Sequence, residues 1–246
     1  MKSIAWCLGL LMGMLPLCAQ SQRANPVAIV QMLSSNQKTP QAEHLVKQLE
    51  LTNYSSGRAC TEFSDVTQKT LWGHKADSIR AIEAYSNSCI EKFIIVLEGS
   101  SSQWRFAGTI SLKERYTAPD YKVVPLFIEQ KPGIMVTDNI VDSGTGISQA
   151  NTQIFAFLGS ALKMVFDQPE KITLAAPFKS KCCDTQYVES QASKFKVIGP
   201  TRQSPIASIE EVRRISGNGR ALTVYRRFVW NRRWHTFYSV AFAPVP

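Results

Sequence analysis

The sequence predicts a mainly β protein. Antiparallel strands would form a meander, a sandwich or propeller-like sheets, after a short helical N-terminal segment. Three observations lead there. Phe93, Ile94, Ile95, Val96 and Leu97 form a short apolar run that stops at Gly99 and three serines. After that turn Trp104, Phe106, Ile110 and Leu112 alternate with polar residues, the period of a strand with one face buried. From there on, short apolar segments recur between clusters of Gly, Pro, Asp, Asn and Ser, with no helical periodicity between them.

The chain divides into three stretches. Residues 1–19 read as a secretory signal: Lys2, an apolar run over 4–15, and Pro16-Leu17-Cys18-Ala19 as the cleavage region. A lipid anchor on Cys18 is the rival reading. Residues 20–55 form the helical segment. Asn25-Pro26 and Thr39-Pro40 each pair a capping side chain with a proline at the first helical position, and residues 40–51 carry Leu45, Val46 and Leu49 at helical spacing. This pair of helices reads as an appendage. Residues 56–246 form the antiparallel β domain. Strands are expected over 92–98, 103–112, 121–128, 133–141, 151–158, 162–166 and 171–175, and more weakly over 78–85. Residues 178–193 read as a polar loop, and 209–216 as a strand or short helix. Two strands around the Asn231-Arg232 turn close the chain, with Trp234, Thr236, Tyr238 and Val240 on one face of the last.

The formal net charge is +9, which serves solubility, the preferred reading, and also suits anionic partners: an anionic polysaccharide, a charged surface or a protein. No apolar run after the signal reaches the ~20 residues of a transmembrane helix. The expected location is therefore exported, periplasmic or extracellular. Beyond the signal lie Cys60, Cys89, Cys182 and Cys183, an even number that suits disulfides in an exported chain. Three connectivities are open. Cys60–Cys89 with a vicinal Cys182–Cys183 is preferred because it closes a local loop. The cysteines lack paired Cys-x-x-Cys spacing and neighbouring histidines, so no metal and no cofactor is expected. Phosphate loops, dinucleotide fingerprints, haem attachment motifs and Gly-x-Ser-x-Gly elbows are all absent from the sequence. Asn53-Tyr54-Ser55 matches a glycosylation sequon.

Two places could carry function. The first is Ile140-Val141-Asp142-Ser143-Gly144-Thr145, with Val197-Ile198-Gly199 further on. The motif resembles the active-site loop of aspartic proteases, in which two apolar residues precede Asp-(Ser/Thr)-Gly-(Ser/Thr). That resemblance implies Asp142 as one of two carboxylates sharing a proton across a homodimer, supported by Ser143, Gly144 and Thr145. The same residues suit a glycine-rich turn between two strands, and this is the preferred reading. The second place is the terminal hairpin. Arg226, Arg227, Arg232 and Arg233 interleave with Trp230 and Trp234, a mixture suited to sulfate or phosphate groups and to stacking on sugars. Alternation puts Arg226 and Arg227 on opposite faces, and a hairpin whose aromatics pack inward while its arginines guard the edge is the preferred reading. The leading expectation is a non-enzymatic, envelope-associated binding or accessory protein. An aspartic-protease-like hydrolase using Asp142 is the alternative.

Overall fold

A computed structural model of the chain describes residues 23–35, 39–53, 56–74, 77–100, 103–112, 120–142, 147–175, 188–217 and 220–244. Two helices precede two antiparallel sheets. A two-residue strand β1 (Arg23–Ala24) leads into α1 (Pro26–Ser35) and α2 (Pro40–Gln48). The caps that the sequence suggests are formed. The Asn25 side-chain oxygen accepts from the backbone N–H of Val27 at 3.1 Å, and the Thr39 hydroxyl accepts from that of Ala42 at 3.2 Å.

The first sheet contains β1, β2 (Phe63–His74), β3 (Asp77–Ser86), β4 (Glu91–Ser100) and β5 (Gln103–Leu112), in the order β1-β5-β4-β3-β2. The second contains β6 (Asp120–Val124), β7 (Gly133–Asp142), β8 (Ile147–Leu158), β9 (Ala161–Ala175), β10 (Val188–Ile198), β11 (Ser208–Gly217), β12 (Arg220–Asn231) and β13 (Thr236–Pro244), each paired with its neighbour in sequence. The fold is thus a meander of packed sheets, and not a ring of propeller blades.

Layering explains the apolar run of β4. Phe93, Ile95 and Leu97 face the helices, in one core with Ile29, Leu33, Val46, Leu49 and Phe63. Ile94 and Val96 face the second sheet, where they meet Ile134 and Val136 of β7. A strand buried on both faces has no polar side to show. The helices are therefore part of the core and not an appendage. The Thr109 hydroxyl donates to the Leu49 carbonyl at 2.7 Å, so β5 supplies a partner at the C-terminal end of α2.

The second sheet folds back over its own far side. Residues 171–175 of β9 pair with β10, whereas its earlier residues pair only with β8. The strands splay there, and the later half of the sheet rolls over a third core of Met135, Ile154, Val165, Phe166, Ile209, Phe228 and Phe237. At the open side the Thr236 hydroxyl donates to the Val165 carbonyl at 2.8 Å. Below it, Ala207 N–H donates to Leu126 O at 2.8 Å and Ile128 N–H to Pro205 O at 2.9 Å, so residues 126–128 and 205–207 zip together. Close approach is met with glycine. A Cβ on Gly133 would sit 2.7 Å from the Phe155 carbonyl oxygen and inside the Leu126 side chain.

The structure departs from the sequence reading in several elements. β9 runs unbroken through Pro169, which the sequence reading takes as a break between two strands. β2 arises where the sequence reading names no strand, and the first half of β10 falls within the polar loop expected over 178–193. The segment 209–216 is strand and not helix, and 121–128 is strand only to Val124. Cys60–Cys89 is a disulfide, as preferred from its spacing. Cys182 and Cys183 lie outside the described residues. Among the described residues no helix is long and apolar enough to cross a membrane.

The two layers are tied by carboxylates, Glu98 buried and Glu83 partly buried. Glu98 of β4 forms ion pairs with Arg105 of β5 and with Lys131, 2.6 Å away on the loop before β7. Glu83 of β3 accepts from the Tyr121 hydroxyl of β6 at 2.6 Å and pairs with Lys92 at 2.9 Å and Lys69 at 3.0 Å. Burial alone would raise the Glu83 pKa. The hydrogen bonds from Tyr121, Lys92 and Lys69 outweigh it and bring the carboxyl from 4.5 down to about 2. Burial and the Glu83 carboxylate push the Tyr121 phenol above its usual range. A carboxyl whose pKa falls on folding stabilises the fold fully above its unfolded value and loses that contribution as pH falls through the folded value. Wild-type stability in urea is therefore expected to fall by about 2–3 kcal/mol more than that of Glu83→Gln between pH 4.5 and 2. Parallel pH profiles for the two proteins would remove Glu83 as an inter-sheet tie.

Candidate functional site

The terminal hairpin is set by its turn. After β12, residues 232–235 reverse the chain, and the Asn231 side-chain oxygen accepts from the backbone N–H groups of Arg233 at 2.9 Å and Trp234 at 3.1 Å. This is the use of asparagine that turns favour. His235 completes the reversal with φ of 49°, in the left-handed region. The turn leaves Arg232, Arg233, Trp234 and His235 exposed, Trp234 to 67%. The sequence reading puts Trp234 on the face of the last strand; the longer turn takes it out of that strand and into solvent.

Trp230 points the other way. Its ring meets Phe127 edge-on at 5.1 Å and Phe237 at 5.3 Å, and His235 lies 6.2 Å away. Between the hairpin and the zipped loops is an open cleft of about 360 Å³, walled by Phe127, Leu158, Ile206 and Trp230, with Arg232 and His235 at its side. Among the described residues no Asp or Glu lines it. An aromatic wall, a guanidinium and an imidazole suit an anionic, partly planar group such as an acidic sugar.

Arg226 and Arg227 have separate roles. Arg226 turns inward, lies over the Phe228 ring and pairs with Glu211, so it is part of the structure beneath the surface. Glu211 is fully buried and also accepts from Arg213 at 2.8 Å and from the Ser193 hydroxyl at 2.6 Å. Burial alone would raise its pKa; Arg226, Ser193 and Arg213 together hold it below the usual carboxylate range. Arg227 is exposed on the outer face and donates to the Ser208 hydroxyl at 3.1 Å. Strand register places it in a row with Glu210 and Lys196, and Tyr225 in a row with Val212 and Lys194. Lys194 and Lys196 are exposed, as is Tyr225 to 45%. The sequence reading leaves out these two lysines. Their alternation with Phe195 and Val197 is the signal that marks an outward face.

Asp142 is the last residue of β7 and pairs with Ile147 across the hairpin to β8. Its side chain, and Ser143, Gly144 and Thr145, lie outside the described residues. Val197 and Ile198 fall at the end of β10. The sequon asparagine is engaged: the Asn53 amide nitrogen donates to Glu91 at 3.1 Å and to the Cys89 carbonyl at 3.4 Å. His44 contacts Gln48 on its own helix at 2.7 Å, and His74 ends β2. Among the described residues no three His, Cys, Asp or Glu side chains gather as metal ligands would. Compared with known proteins, the chain matches no family model, no curated protein and no solved structure.

Proposed function

We propose that the chain is an exported, non-enzymatic binding protein whose C-terminal hairpin takes up an acidic polysaccharide. One observation carries the reading. Trp230, Arg232 and His235 border a cleft with no acidic residue among the described ones that line it, and the same turn exposes Arg233 and Trp234. Arg227, Lys194 and Lys196 extend the cationic surface along the outer face of the curled sheet, interrupted only by Glu210 among the rows described. Export is supported by the signal-like residues 1–19 and by the Cys60–Cys89 disulfide, a bond that persists in oxidising compartments. The binding would weaken with salt, because exposed charges carry it.

The test is retention on heparin resin under a salt gradient. Arg227→Ser/Arg232→Ser/Arg233→Ser is expected to elute at clearly lower salt than wild type, and Trp234→Ala to shift in the same direction by less. Arg226 is left intact, because removing it would strip a partner from buried Glu211. Unchanged elution of the triple variant would sink the proposal.

A further inference from the structure

The helical layer does not close completely over the first sheet. A cavity of about 350 Å³ remains between α1, α2 and the segment leading into β2. Its floor is apolar: Leu33, Val46, Cys60 and Phe63, each buried in the core below. Interiors seldom leave voids larger than a water molecule, and this volume lies in the lower part of the ~300–1,000 Å³ range of small-molecule sites.

One wall is held in advance of any ligand. Cys60 is bonded to Cys89, and its N–H donates to the Leu51 carbonyl at 2.9 Å. The Thr61 carbonyl accepts from the hydroxyls of Ser86 and Ser88, both at 2.8 Å, and the Glu62 carbonyl accepts from Asn87 N–H at 2.9 Å. These contacts hold Glu62 at φ of 58°, a left-handed conformation that residues other than glycine seldom adopt. Backbone strain kept in place by its surroundings is characteristic of ligand clamps. The facing wall includes Met32, whose flexible thioether adapts to what it touches. The rim carries Glu43, Glu62 and Lys47. Two acids and one base suit a head group with a positive end and a negative one, and oppose a bare carboxylate.

From this we infer that the cavity binds the hydrocarbon chain of a single-tailed zwitterionic lipid. The tail lies against Leu33, Val46 and Phe63. The head lies at the rim, its ammonium toward Glu43 and Glu62 and its phosphate toward Lys47. This site is on the opposite sheet from the basic hairpin and stands independently of the polysaccharide reading.

The probe is dodecylphosphocholine, kept below its micelle concentration and titrated into the purified chain by calorimetry. One molecule is expected to bind per chain, saturably, with dodecanoate at least tenfold weaker. Ala42→Trp fills the cavity and is expected to weaken binding at least tenfold. A second readout needs no variant. In ¹³C-methyl NMR the Met32 methyl is expected to shift on titration, while those of Met135, in the third core, and the exposed Met164 stay in place. Absence of binding, non-saturating uptake, equal affinity for dodecanoate or an unmoved Met32 methyl would each overturn the inference. So would undiminished binding by folded Ala42→Trp. A change to a dimer on ultracentrifugation, with no lipid taken up, would assign the cavity to a second copy instead.

Discussion

Glu211→Ala is expected to lower folding stability by about 3–5 kcal/mol, the largest effect of any single substitution discussed for this chain. The carboxylate has no solvent exposure and sits at the centre of the curled half of the second sheet. Arg213 and Arg226, with side chains 18% and 11% exposed, both pair with it. Removing it leaves two guanidinium groups short of water and facing each other's charge. A well-made ion pair in the interior adds little beyond what its desolvation costs, whereas half of one is strongly destabilising. The test therefore needs a companion variant. Glu211→Leu/Arg213→Met/Arg226→Met, which takes away the charges together, is expected to recover most of the loss in a urea titration. If Glu211→Ala falls within about 1 kcal/mol of wild type, the cluster does not hold the curl. Lowering the pH should act like the substitution. The Glu211 pKa is held down in the fold, so its contribution is present above the unfolded carboxyl value and is lost as pH falls through the folded value.

Cys60→Ala/Cys89→Ala is expected to cost about 3–4 kcal/mol. The bond closes a loop with a sequence separation of 29 residues, and the chain entropy it removes from the unfolded state has roughly that value. Cys60 is also fully buried, so the alanine leaves some packing unfilled. Dithiothreitol added to the wild type should give a similar fall in the urea midpoint, and an insensitive midpoint would count against the bond as a source of stability. The two proposed sites should respond differently. The disulfide fixes the wall of the cavity under the helices and does not touch the terminal hairpin. Dodecylphosphocholine affinity should drop in the double alanine variant while retention on heparin is kept.

Much of the fold could be read from the sequence, and the exceptions have physical reasons. The hairpin of β4 and β5 is legible because burial on both faces, then on one, writes a clear pattern into residues 93–112. β2 is not. It is an edge strand whose register slips between Ser64 and Thr67 and again between Thr70 and Trp72, so its inward residues lose the period of two. Pro169 suggests a break in β9 but makes none. It pairs with Asn151 of β8 beside an irregularity, on a stretch where β9 has no strand on its other edge. A missing N–H is tolerated there. The helices are marked by their caps, yet caps do not say which surface a helix covers. Their packing on the first sheet, and the cavity that results, were hidden for that reason. In the hairpin, Trp230 and Arg232 stand out by composition. Their approach to Phe127 and Ile206 depends on loops about 100 residues away in one case and 25 in the other, and nothing local encodes it.

Because β2 to β5 and then β6 to β13 each pair with the strand just before or after them in sequence, the chain can assemble in the order in which it is made. No early strand waits for a late one to enter between it and its neighbour. Each new hairpin extends an edge that already exists, and loop closure stays short at every step. The first sheet, its helices and the cysteine pair are all present by residue 112. Closures that reach back across the second sheet include Thr236 to Val165 and residues 205–207 to 126–128. A protein wound in this way can start folding from its N-terminal end before the later strands have been made.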